Sequence, residues 1–225
     1  MLYMIVFNNE NFLVVDKPVC VLSRPDRFQS KDRSVIRDVL IETGLLVASD
    51  PLFIVHRLDF EVSGLLLFAK NKKAQQVASK WFEERKIKKV YEALSTGTFE
   101  LNELEVWQSN LVRGKKRTFE ADYGKKAVTH AKCVAEKTIE QLEGKFLLWE
   151  LMPLTGRSHQ LRFEMYKHGV PILNDVLYSG VKHGFSGIAL RAVKLVFADD
   201  AKALGLPSEL TTTGVIEWLE AQLKG

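Results

Sequence analysis

The sequence predicts an α+β protein, with a mixed, largely antiparallel sheet flanked by helices. Three observations carry this expectation. Short apolar runs bounded by polar turns recur along the chain, a few segments repeat apolar residues at helical spacing, and the two kinds alternate without the βαβ rhythm of a parallel sheet. The chain has 225 residues, which suits one domain running from residue 1 to 225. With 46% hydrophobic and 27% charged residues and only 14 Gly and 6 Pro, it carries enough apolar material for a core. Collagenous, low-complexity and wholly disordered classes are set aside.

The elements follow in order. Met4 to Phe7 and Phe12 to Val15 read as two short strands joined by a polar turn at Asn8 to Asn11, the second ending at Asp16-Lys17-Pro18. Between Ser34 and Leu46, Val35, Ile36, Val39 and Leu40 repeat at helical spacing, with Gly44 as the stop. Phe53 to Val55 and Leu65 to Ala69 read as buried strands, and the polar loop His56 to Gly64 is slung between them. Asn71 can cap a helix whose apolar stripe is Ala74, Val77, Ala78, Trp81 and Phe82. Strands are expected at Val90 to Leu94, Lys126 to Ala135 and Phe146 to Leu151, with basic, glycine-containing loops between them. A helix from His159 to Tyr166 closes at Gly169, and a terminal helix spans Thr211 to Leu223.

Cys20 and Cys133 are too few and too far apart for a disulfide framework. The five histidines show no metal-ligand spacing, so no metal is expected. No segment reaches the ~18 uncharged apolar residues of a membrane span, and the opening residues lack a basic leader, so a cytoplasmic protein is expected. The net charge is only +4, but Lys70 to Lys89 holds eight Lys or Arg against two Glu, and Arg113 to Lys126 holds six against Glu120 and Asp122. The remainder of the chain is therefore acidic. Such concentrated positive charge suits a polyanion partner, although a solvated helix face gives the same pattern.

Three clusters could carry chemistry. In His56-Arg57-Leu58-Asp59 a carboxylate stands two residues from a guanidinium on a loop between strands; an Asp there often merely caps a turn, whereas Arg57 can grip a phosphate bidentately. In the segment Leu154 to Arg162, Thr155 and Ser158 can cap a helix, Gly156 opens the backbone, and Arg157 and Arg162 add positive charge near a helix N-terminus. That segment serves equally as an anion site or a well-capped basic helix. In Lys89-Val90-Tyr91-Glu92-Ala93, alternation places Lys89, Tyr91 and Ala93 on one strand face. HExxH, GxSxG, the P-loop motif and GxGxxG after a strand are all absent.

Taken in order, these segments resemble the RluA-type RNA pseudouridine synthases. HRLDFEVSGLLLFAK, residues 56 to 70, is similar to that family's signature HRLDxxTSGLLLxAK. NFLVVDKPVCVLSRP resembles its DKPxGxxxHP opening, KKVYEAL its KxYxAL strand, and LTGRSHQLRFEMYKHGVPILNDVLY its closing motif. The resemblance runs from about residue 5 to 197, and the small S4 RNA-binding domain of some relatives is not expected ahead of it. Val62 stands where Thr is usual, Cys20 where Gly is usual, and Glu164-Met165 where Val-His is usual.

The resemblance implies isomerisation of uridine to pseudouridine in a tRNA or 23S-type rRNA loop, with no cofactor; a monomer is expected. Asp59 matches the catalytic aspartate that attacks the target nucleotide. Arg162 matches the basic residue that pairs with the aspartate, with Arg157 as second choice, and Tyr91 matches the pocket tyrosine that stacks on the flipped base. Arg57 matches a residue that enters the space the flipped nucleotide leaves. His56, Arg157, His159, Lys89, Lys115, Lys116 and Arg117 are expected to contact the RNA. A catalytically silent RNA-binding module and a hydrolase using Asp59 as a glycosidic nucleophile remain as alternatives.

Overall fold

The structure is a computed structural model and describes residues 5–25 and 34–224; Met4, placed at the start of the first expected strand, lies outside them. Two compact units are present, one of residues up to Lys88 with Lys194–Thr212, the other of Lys89–Val193 with the residues from Thr213 onward.

In the first unit, β1 (Ile5–Asn8) and β2 (Phe12–Lys17) form a hairpin. Its turn is set by Asn9, whose side-chain oxygen accepts from the backbone N–H groups of Asn11 and Phe12 at 2.8 and 2.7 Å. Antiparallel to β2 runs β4 (Ser63–Ala69), with Phe12 opposite Ala69 and Lys17 opposite Gly64. β3 (Phe53–Ile54) pairs with the far end of β4, every residue of which is buried. The helix α1 (Ile36–Glu42) is shorter than its apolar spacing suggests, and Val35 forms an isolated parallel bridge with Leu22. In α2 (Lys72–Glu83) the Asn71 side chain accepts from Ala74 N–H at 2.9 Å, as its cap position predicts. Ala74, Ala78 and Trp81 then pack on Phe12, Val14, Leu65 and Leu67. Burial of each large apolar side chain stabilises this core by about 1.5–3 kcal/mol. At the far end of β10 (Leu190–Val196), residues Lys194 to Val196 pair with β11 (Glu209–Thr211).

In the second unit, β5 (Lys88–Ser95), β9 (Leu142–Pro153), β8 (Lys125–Ile139), β6 (Leu104–Arg113) and β7 (Thr118–Glu120) follow one another as antiparallel neighbours. The helices are α3 (Gln160–Lys167), which lies against β6 and β7, and α4 (Val215–Leu223). As alternation predicts, Glu92 points opposite to the buried Tyr91, and its carboxylate accepts from Val215 N–H at 2.8 Å at the start of α4. Phe163 of α3 and Tyr178 close over Leu111 and Ala127.

Several expectations are corrected. Residues 104–113, expected as loop, form β6, because Trp107, Ser109 and Leu111 alternate inward while polar neighbours face out. Thr211 ends a strand, and the terminal helix begins only after Gly214. Neither Thr155 nor Ser158 caps α3. Its N-cap is His159, which takes a left-handed conformation at φ 52° and makes no side-chain cap bond. Among the described residues no helix is long and apolar enough to cross a membrane, and no group of three His, Cys, Asp or Glu is placed to hold a metal ion.

Candidate active site

Asp59 stands half-buried on the loop joining β3 to β4, its carbonyl accepting from Val62 N–H at 3.2 Å in a tight turn. This loop is fastened to the segment after β2 at two points. The buried Ser23 hydroxyl donates to Leu58 carbonyl at 2.8 Å and accepts from Leu58 N–H at 3.0 Å, so one side chain satisfies both backbone groups of the residue before Asp59. Cys20 N–H donates to Phe60 carbonyl at 2.8 Å. Cys20 sits at φ 58°, the left-handed region that glycine adopts without strain. A loop held on both sides of its carboxylate keeps Asp59 in one place, as a nucleophile requires.

Beneath it lies Lys17, fully buried at the end of β2, its ammonium donating to the carbonyls of Pro18 and Val21 at 2.7 and 2.8 Å. Burial pulls its pKa down to about 7, against the upward pull of Asp59 first and then of Cys20, Glu61 and Asp16. On the same loop Arg57 is exposed, whereas the His56 ring stacks on Phe82 at 4.5 Å and its Nε2 accepts from Leu67 N–H at 2.9 Å. That bond ties His56 to β4.

The other expected residues lie in the second unit. Tyr91 is buried on β5 opposite Leu151. Lys89, half-buried two residues earlier, has its pKa lowered by burial, and its Nζ lies 3.8 Å from where a Gly156 side chain would begin. The loop before α3 is organised by the buried Gln160. Its carbonyl accepts from Thr155 Oγ1 at 2.7 Å and Arg157 N–H at 3.0 Å, and its amide donates to Val128 carbonyl and Thr129 Oγ1, each at 3.0 Å. His159 Nδ1 meets the Tyr178 hydroxyl at 3.2 Å.

Arg162 is the residue that the resemblance pairs with the aspartate, and its charge is fixed from the side of Asp175. It is 2% exposed and bound bidentately by Asp175, itself 1% exposed, through Nε at 2.7 Å and one Nη at 2.8 Å. This pair uses two of the five donors of a guanidinium and fixes the plane of the rest. Asp175 is a functional candidate that local sequence pattern did not reveal. Lys115, Lys116 and Arg117 stand exposed on the turn between β6 and β7, where Arg113 Nη1 donates to Lys116 carbonyl at 2.8 Å. Chemically, the first unit offers a fixed carboxylate beside a buried ammonium. The second offers a phenol, an anchored guanidinium and an exposed basic turn.

Comparison with known proteins adds to this geometry. The family of RNA pseudouridylate synthases matches residues 11–167. The dual-specificity RNA pseudouridine synthase RluA of Vibrio vulnificus is 33% identical over 198 residues, covering 86% of this chain and 76% of that protein. The same enzyme of Pasteurella multocida is 35% identical over 182 residues, covering 78% and 76%. Ribosomal large subunit pseudouridine synthase D of Borreliella burgdorferi is 30% identical over 194 residues, covering 83% of this chain and 57% of that one. Two solved human structures, RNA pseudouridylate synthase domain containing 1 and 4, share the fold with TM-scores of 0.71 and 0.69 at 24% and 21% identity. They cover 99% and 98% of this chain and are themselves covered to 95% and 92%. The chain belongs to the RNA pseudouridylate synthases of the RluA type, isomerases that convert uridine to pseudouridine within RNA.

Proposed function

We propose that this enzyme, a cytoplasmic monomer with residues 1 to 225 as its catalytic domain, isomerises uridine in a structured loop of tRNA or rRNA, with Asp59 as nucleophile. The observation that carries the proposal is the double fastening of the Asp59 loop over the buried Lys17 ammonium. The target nucleotide leaves its stack at an expense of a few kcal/mol, and exposed Arg57 fills the space. The Asp59 carboxylate attacks ribose C1′ as the C1′–N1 bond breaks and the uracil leaves with that electron pair; the uracil turns, C5 bonds to C1′ as the Asp59–C1′ bond breaks, and C5 then gives up its proton while N1 takes one up from solvent. Tyr91 gives the uracil a stacking face and a phenol for proton removal, and Arg162, oriented by Asp175, supports the carboxylate. Such a rearrangement requires no metal or cofactor. Lys115, Lys116, Arg117, Arg157, His159, Lys89 and His56 hold the RNA.

RNA tritiated at uridine C5 and lacking the modification, divided into tRNA and rRNA fractions, tests this reading. Tritium release from one fraction is expected and identifies the substrate class. Release from neither fraction, with RNA still bound, would establish the silent binding module, and free uracil in the supernatant would establish a hydrolase.

A further inference from the structure

We propose that a cleft in the second unit is a subsite for a further nucleotide of the RNA, distinct from the uridine that is isomerised. The inference rests on the reading of RNA as substrate and adds residues to which that reading gives no role. The cleft, about 400 Å³, lies between the end of β6, the turn before β8 and the Gly156 to Ser158 loop. Its volume suits a small ligand. Its lining includes the cations Arg113, Lys125 and Arg157 and no carboxylate, so its chemistry selects an anion.

Two of these cations are held in place by the chain itself. Arg113 Nη1 donates to Lys116 carbonyl at 2.8 Å and Arg157 Nε to Lys126 carbonyl at 3.0 Å. Each guanidinium keeps further N–H donors beyond the one so used, in the fork geometry that fits a phosphate. The walls are tied as well. Thr118 Oγ1 donates to Ser158 carbonyl at 2.7 Å, and Thr118 N–H donates to the Tyr178 hydroxyl at 2.7 Å. The cationic walls therefore need little ordering on binding.

Tyr123 distinguishes this cleft from an ordinary basic surface. The ring lines the cleft yet is 79% exposed, and among the described residues it meets no aromatic ring or hydrogen-bond partner. Its turn is firmly seated: Gly124 N–H donates to Ala121 carbonyl at 2.8 Å, and a side chain at Gly124 would collide with the Asn110 backbone. A phenol displayed on a seated turn beside fixed cations offers a face to a base and charge to its phosphate. Stacking of this kind tolerates any base, so the subsite accepts an unpaired loop nucleotide irrespective of its identity.

The test is binding of a fluorescein-labelled RNA stem-loop, and of labelled oligouridine, to the full chain and its variants at several salt concentrations. Tyr123→Ala is expected to raise Kd about tenfold, and Tyr123→Phe, which keeps the ring, to stay within about twofold of wild type. Arg113→Gln is expected to raise Kd and reduce the salt slope by about one. Thermal midpoints should match wild type, since both side chains are exposed. An unchanged Kd for Tyr123→Ala, or a loss in Tyr123→Phe equal to that in Tyr123→Ala, overturns the subsite alone. Wild-type protein that binds RNA through Tyr123 but releases no tritium overturns the functional reading and leaves the subsite standing. Wild-type protein that binds neither RNA overturns both.

Discussion

Asp175→Asn probes the arrangement around Arg162. The wild-type pair is bidentate at 2.7 and 2.8 Å, with both side chains at most 2% exposed. Replacing one carboxylate oxygen by an amide nitrogen turns a donor toward a donor and removes the Asp175 charge from the buried pair. Breaking a buried pair in this way costs about 3–5 kcal/mol, against about 0–1 kcal/mol for an exposed one. Arg162 also lies 5.5 Å from the Tyr178 ring, so the variant loosens the packing of α3 as well. Since domains of this kind are stable by only about 5–15 kcal/mol, the loss is a large fraction of the total. Urea unfolding at pH 7, followed by tryptophan fluorescence and far-ultraviolet circular dichroism, measures it. A loss below about 1 kcal/mol would refute the reasoning, because the pair would then be behaving as solvent-screened.

Three other outcomes are expected. Ser23→Ala strips Leu58 of a donor and an acceptor in a buried position, and is expected to lower stability by about 1–3 kcal/mol and kcat more than RNA affinity, read by urea unfolding and single-turnover assay. Glu164 is fully buried, its Oε2 3.9 Å from His168 Nδ1, and burial raises its pKa from the usual 4.5 despite Ser109 and Lys167 nearby. The folded chain therefore holds a proton that the unfolded chain releases, and stability falls as pH rises from about 4.5 through the folded value. Glu164→Val should remove that fall and raise Tm more at pH 7 than at pH 4, as scanning calorimetry at both pH values will show. Neutralising Lys115, Lys116 and Arg117 together should weaken RNA binding and lower the salt slope by about 3, and an unchanged slope would make the turn a solvated loop only.

Elements with strong local signals were legible in the sequence. Asn71 followed by the stripe from Ala74 to Trp81 specifies α2 by capping and 3.6-residue periodicity. The loop bearing Asp59 was legible because apolar runs bound it on both sides. Strand β6 was missed because Gln108 and Asn110 interrupt its apolar run, and inward alternation at Trp107, Ser109 and Leu111 shows only once its partner β8 is in place. Thr155 and Ser158 misled for a related reason: the buried Gln160 binds Thr155 and the loop backbone, a tertiary contact that overrides the usual capping preference. The supports of the candidate site were the least legible. Ser23 meets Leu58 across 35 residues, Asp175 meets Arg162 across 13, and Lys17 reads as an ordinary strand-end lysine until the fold buries it. No local spacing encodes such meetings, because tertiary packing alone brings the partners together.

The central claim, that Asp59 carries out the isomerisation, is tested most directly by single-turnover tritium release from C5-tritiated substrate RNA, comparing wild type with Asp59→Ala at RNA concentrations that saturate both. The account predicts release by wild type and none by Asp59→Ala, with RNA affinity retained. Release by the variant at a rate near that of wild type would contradict it.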